Sequence, residues 1–151
     1  MSERRQMCTM WVGDIMLGVD VVRIQEVIGE QPTTNVPMAS SVVGGLINLR
    51  GQIITAIDLR TRFCLPERQA GEQIMNVVVV VPGGAVSLLV DKIGDVVEVD
   101  LHTAESTPTT VSPVVRALIT GIYKSDGALL LALDVDCAVS VHNPNADVVA
   151  A

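Results

Sequence analysis

Two aspartates, Asp58 and Asp134, each close a run of apolar residues and lie 76 positions apart. A pair of carboxylates donated by two related segments is the arrangement by which an aspartic protease shares one proton. That chemistry needs a flexible glycine turn around each acid, and here Leu59 and Val135 follow instead. Capping of a short helix through the side-chain oxygen accounts for both aspartates without catalysis. The other reactive residue types do not assemble. His102 and His142 have no cysteine or carboxylate at metal-ligand spacing. Cys8, Cys64 and Cys137 are far apart, odd in number and without a C-x-x-C pair, and read as small buried apolar residues of a reducing compartment. Gly44-Gly45 and Gly83-Gly84 belong to no phosphate-binding glycine motif, and Ser40 and Ser41 lack a nucleophile-elbow context. The expectation is a binding module with no catalytic residue, no metal and no cofactor.

The elements that position these residues repeat. Val43 to Asp58 aligns without a gap on Ile119 to Asp134: Gly45 falls on Gly121, Gly51 on Gly127, Ala56 on Ala132 and Asp58 on Asp134. Each copy is strand, glycine turn, strand, then an aspartate where the periodicity changes. A lone hairpin is unstable, so each copy must belong to a larger sheet or barrel, and two small β-units in one chain are expected.

Composition narrows the class. With 49% apolar residues but only one Trp, one Tyr and one Phe among 151, the core must be built from Val, Ile, Leu and Met, which favours strands. A formal net charge of −7 argues against nucleic acid, whose binding requires clustered Lys and Arg. No apolar run approaches the roughly 20 residues of a membrane span, and no signal peptide is visible, so a cytoplasmic protein is expected.

Taken in order, residues 1–6 read as a frayed, disordered N-terminus. Met7 to Val12 and Ile15 to Val19 form a hairpin about Gly13-Asp14. Asp20 reads as an N-cap and Gly29 as the residue past a helix end, which predicts a helix over Val21 to Ile28. On that helix Val21, Ile24 and Ile28 share one face. Glu26 lies nearly opposite, flanked by Val22 and Arg23, and is either a contact ridge or a solvated face. Gln31 to Ser41 is a loop, and a short helix follows Asp58. Gln73 to Val81 reads as a strand buried on both faces in its second half. The Thr-, Ser- and Pro-rich stretch from His102 to Pro113, within a broader connection near 101–116, is the linker candidate, and 141–151 a flexible tail.

Leu17-Gly18-Val19-Asp20, Ile24-Gln25-Glu26-Val27, Val36-Pro37, Gly45-Leu46-Ile47-Asn48-Leu49-Arg50-Gly51 and Ile57-Asp58-Leu59-Arg60, continuing through Val90-Asp91 and Val96-Val97, resemble the CheW family of bacterial chemotaxis coupling proteins over about residues 7–140. Asn-Leu-Arg-Gly with Asp-Leu-Arg downstream is the most specific part. Two positions depart from the family pattern: Leu17, where an aromatic is usual, and Ser40, near which a second proline is usual.

The resemblance implies a mainly β fold of two five-stranded barrels like Src-homology-3 domains, packed around a shared core, with strands exchanged between the sequence halves. It implies a scaffold without enzymatic activity that links methyl-accepting chemoreceptors to the regulatory domain of the histidine kinase CheA, in rings that include other CheW-like domains. Glu26 and Arg50 would be the coupling residues, with Ile24, Asn48, Gly45 and the ridge residue Val22 lining the partner groove. A ligand-binding or enzymatic barrel, and a purely structural β-module, are the alternatives from other classes.

Overall fold

The structure, a computed structural model, describes residues 3–106, 108, 111–125 and 127–140. The expected tail at 141–151, with His142, lies outside the described residues. Ten strands dominate the described residues: β1 (Arg4–Val12), β2 (Ile15–Asp20), β3 (Ile24–Ile28), β4 (Val43–Leu49), β5 (Gln52–Asp58), β6 (Met75–Val81), β7 (Gly84–Val90), β8 (Lys92–Asp100), β9 (Ile119–Ser125) and β10 (Ala128–Leu133). Three short helices accompany them: α1 (Leu59–Arg62), α2 (Pro113–Arg116) and α3 (Val135–Val139).

The strands form two five-stranded sheets, ordered β8-β1-β2-β10-β9 and β3-β6-β7-β5-β4. Each sheet takes its leading hairpin from one half of the chain and its other three strands from the other half. The repeated hairpins β4–β5 and β9–β10 occupy equivalent edges, each joined by a parallel pairing, β5 to β7 and β10 to β2. Strand exchange between the halves is therefore built into the topology. The 101–116 segment joins β8 to β9 within one sheet; it is pinned by a bridge between Glu105 and Ile122 and by Ser112, whose side chain caps α2.

The low aromatic content and the lack of alternation now have a cause. Val77, Val79, Leu88, Val90, Leu131 and Leu133 face a core shared by both sheets. Their neighbours face the interior of their own sheet: Val78 and Leu89 beside Ile47 and Ile54 in one, Leu130 and Ala132 beside Met7 and Tyr123 in the other. A strand with a core on both faces has no polar face to alternate with. β6 follows this from Asn76 to Val79, whereas Val80 beyond it is exposed. Leu17, where the family pattern has an aromatic, is fully buried in the shared core.

Both aspartates of the repeat are caps. Asp58 accepts from the Arg60 N–H at 3.0 Å and Asp134 from the Cys137 N–H at 3.1 Å.

Three expectations are corrected. Residues 4–6 are not frayed: β1 starts at Arg4 because β8 extends far enough to pair with it, Arg4 opposite Asp100, and Arg4 and Arg5 form ion pairs with Glu98 and Asp20. The helix over Val21 to Ile28 is a single 3₁₀ turn at Val21–Arg23, capped by Asp20, followed by strand β3. Asp20 does cap the turn, but Val21, Val22, Ile24, Val27 and Ile28 are β-branched and β6 offers a free edge, so the chain extends rather than coils. Of the cysteines only Cys8 is buried; Cys64 and Cys137 sit on the outer sides of short helical turns and are exposed. Asp134 beside Cys137 keeps that thiol protonated, pushing its pKa up.

Candidate functional site

The site is built around the turn between β4 and β5. Leu49 pairs with Gln52, leaving Arg50 and Gly51 as the two turn residues, both with positive φ, +52° and +86°. Such a tight turn suits the right-handed twist of the flanking strands, and glycine meets its demand freely. Arginine does not, and a non-glycine residue there is held at a cost by its surroundings. Asn48 supplies part of the hold, its Oδ1 accepting from the Gly51 N–H at 2.8 Å.

Glu26 comes to this turn from the opposite edge of the same sheet. A bulge in β3 between Ile24 and Glu26 places Ile24 opposite Val79, towards the shared core, and Glu26 opposite Val78, towards the interior of its own sheet. The Arg50 guanidinium then donates two hydrogen bonds to the Glu26 carboxylate, Nη1 to Oε1 at 2.6 Å and Nη2 to Oε2 at 2.7 Å. This bidentate geometry is the strong form of an arginine–carboxylate contact. β3 and β4 are the two edge strands of the sheet, so the pair ties its ends together. Its hydrogen bonds hold Glu26 below the usual carboxylate range, outweighing the partial loss of water. The Glu26 side chain is 21% exposed and Arg50 71%, which leaves the cation presented to solvent.

The other residues expected at the site divide. Gly45 is buried near the start of β4, opposite Ala56 and away from the Arg50 turn, with φ +135° at a bulge between Val43 and Gly45. A Cβ there would lie 2.8 Å from the Thr34 carbonyl oxygen, which the Leu46 N–H must reach to bridge the 29–42 loop to β4. Its role is conformational. Gly45→Ala should cost about 2 kcal/mol and lower the melting temperature by roughly 4–8 °C, as differential scanning calorimetry would read. Ile24 is partly buried against the shared core. Val22, 78% exposed in the 3₁₀ turn, stands apart from the Arg50 turn and lines a different cleft, with Arg5, Met7 and Tyr123.

A second charged cluster was not anticipated. Asp91, just after β7, accepts from Arg60 Nε (3.0 Å) and Nη2 (2.9 Å), from Arg68 Nε (2.7 Å) and from the Gly13 N–H at 2.6 Å. Arg68 also reaches Asp58, and Arg60 reaches Glu72. Gly13 belongs to the β1–β2 turn of one sheet and α1 follows β5 of the other, so the cluster fastens the sheets together. Burial alone would raise the Asp91 pKa; Arg60, the Gly13 N–H and Arg68 outweigh it and hold it below its ordinary value. The Asp-Leu-Arg at 58–60 was the visible signal, but its partner Asp91 lies 31 residues beyond Arg60.

The model of the CheW-like domain matches residues 6–141. The chain belongs to the CheW-like family. Among its relatives, a chemotaxis protein CheW of Treponema pallidum is 27% identical over 138 residues, 89% of this chain and 81% of that protein. Another of Thermotoga maritima is 32% identical over 122 residues, 80% and 78% of the respective chains. The crystal structure of the scaffolding protein TtCheW from Thermoanaerobacter tengcongensis superimposes with a TM-score of 0.77 at 26% identity, covering 87% of this chain and 90% of that one. The mainly β architecture expected from the sequence is that of a CheW scaffold. No helix among the described residues is long and apolar enough to cross a membrane.

Proposed function

We propose that this chain is a non-catalytic coupling adaptor of a chemosensory array. It joins the regulatory domain of the histidine kinase CheA to the cytoplasmic tips of methyl-accepting chemoreceptors, at the inner face of the membrane. The observation that carries this reading is the Arg50–Glu26 pair: an arginine held at positive φ on a protruding turn, oriented by a bidentate carboxylate and open to solvent. Strain of this kind persists where the surroundings enforce it and is concentrated at binding sites. A fixed guanidinium at the rim of an interface sets register and suppresses wrong partners. Family membership supplies the class of partner: a domain of similar fold in the kinase, and an amphipathic helical hairpin in the receptor.

The buried polar side chains weigh against a ligand-binding barrel. Thr9, Asn76 and Ser87 are each engaged: Thr9 donates to the Asp95 carbonyl, Ser87 to Asn76 and Asn76 to the Gly29 carbonyl. None is left to recognise a small molecule inside a sheet.

Co-sedimentation of the kinase with receptor-bearing membranes from the same organism tests the proposal. Adding the chain should bring the kinase into the pellet in proportion to the chain bound. Kinase that sediments equally with and without it would reject the coupling role.

A further inference from the structure

We infer that Asn76 is a positioning residue: its buried amide ties down the end of β3 and so fixes the register that presents Glu26, rather than Gln25, to Arg50. Its consequence for binding rests on the adaptor reading, whereas the positioning belongs to the chain by itself.

Asn76 is fully buried on the side of β6 that carries Val78, in an interior filled by Ile47, Ile54 and Leu89. An amide among aliphatic side chains is costly unless its hydrogen bonds are made. Both ends are engaged here. Oδ1 accepts from the hydroxyl of Ser87, itself fully buried, at 2.7 Å, and Nδ2 donates to the Gly29 carbonyl at 3.0 Å. Gly29 is the residue that follows β3, so the second bond ties the end of that strand to β6. Fixing a register is the best-attested use of a polar group in an apolar core.

This register needs fixing. The other end of β3 is also tied to β6, by Arg23 Nε donating to the Val80 carbonyl at 3.0 Å. Between the two ties, Ile24 lies opposite Val79 and Ile28 opposite Asn76, so the five residues of β3 face four of β6. The surplus is taken up by the bulge between Ile24 and Glu26. With the bulge, Ile24 and Val27 lie on the side of the shared core and Ile28 in the interior. A regular strand registered from Ile24 would put Ile24 and Ile28 on the core side and Val27 in the interior. Either way two apolar side chains share one face and one takes the other, so the hydrophobic pattern does not choose between them.

The two ties have different consequences. Released at Gly29, the strand closes its bulge by sliding one residue: Gln25 then faces Val78, and Glu26 moves opposite Val77, away from Arg50. Released at Arg23, it closes the bulge from the other end, with Gln25 opposite Val79 and Glu26 still opposite Val78. Only the Asn76 tie decides which side chain meets the guanidinium.

Asn76→Val/Ser87→Ala removes both members of the buried pair together, which leaves neither side chain unsatisfied. Carboxyl-carbon NMR of the isolated chain reads the position of Glu26, because the Arg50 hydrogen bonds hold its pKa below the usual range. In the double variant that pKa should rise to about 4.3, the ordinary value, and the cross-strand contacts of Ile28 should shift by one residue. Ser87→Ala alone keeps the tie to Gly29, and Arg23→Gln frees the opposite end; in both, Glu26 should titrate as in wild type. A folded double variant whose Glu26 still titrates low overturns the inference, as does Arg23→Gln raising the Glu26 pKa equally. In the unaltered chain the Asn76 side-chain amide protons should exchange slowly with solvent, and rapid exchange would refute the tie without any substitution. Binding of the kinase regulatory domain by the double variant reports on the adaptor reading separately. A loss equal to that of Glu26→Gln extends the positioning to binding; wild-type affinity with a freely titrating Glu26 upholds the tie and rejects the binding role of the pair.

Discussion

Asp91→Ala is expected to destabilise the fold by about 3 kcal/mol, the largest effect of any single side-chain truncation at the charged residues. The magnitude lies at the low end of that for breaking a buried pair, because Asp91 and Arg60 are 17% and 15% exposed. The loss is large because one carboxylate neutralises two arginines and also accepts a backbone N–H. Removing it leaves Arg68, 8% exposed, with Asp58 as its one anion among the described residues. Asp91→Asn should cost less, since an amide oxygen still accepts from Gly13. The Asp91 N–H bonds to the Trp11 carbonyl, so fluorescence of the single tryptophan reports unfolding close to the change.

The same carboxylate sets an acid limit. Folding lowers its pKa below the unfolded value of about 3.9. Its contribution is therefore fully present above that value and is lost as pH falls through the folded one. Wild type should lose stability more steeply than Asp91→Asn below about pH 4. Parallel slopes for the two proteins would show that Asp91 does not carry the acid sensitivity.

Arg50→Gly is expected to separate folding from function. Position 50 has φ +52°, which glycine adopts without strain, so the turn should keep its shape, and the relief of strain should offset the lost tie to Glu26 and leave the melting temperature close to that of wild type. Binding to the kinase regulatory domain should nonetheless fall by roughly tenfold to thirtyfold, the scale of an anchor residue at an interface. Glu26→Gln should bind less weakly than Arg50→Gly, because the guanidinium remains and loses only its orientation. A fall in binding matched by a fall in stability would reduce Arg50 to a structural residue.

The repeat at Val43–Asp58 and Ile119–Asp134 was legible because it is local. Hairpin turns, caps and the spacing of Asn48, Arg50 and Asp58 are all set by residues within a few positions of one another. What crosses the chain was not. β3 was read as helix because Asp20 and Gly29 carry genuine cap chemistry, and only the edge of β6, 50 residues on, makes extension the better outcome. The same reading puts Glu26 on an exposed helix face, as a contact ridge or a solvated one. It lies instead on the side of Val78, and the bulge between Ile24 and Glu26 that turns it there has no signature in Ile24-Gln25-Glu26. Resemblance singled out Glu26 and Arg50 as separate residues. That they form one bidentate unit is a fact of sheet curvature, which brings two edge strands within side-chain reach.

Titration calorimetry of the purified chain against the CheA regulatory domain of the same organism tests the central claim most directly. The account predicts saturable one-to-one binding that is weakened in Arg50→Gly. Absence of binding by a folded wild-type chain would contradict it, as would binding indifferent to Arg50.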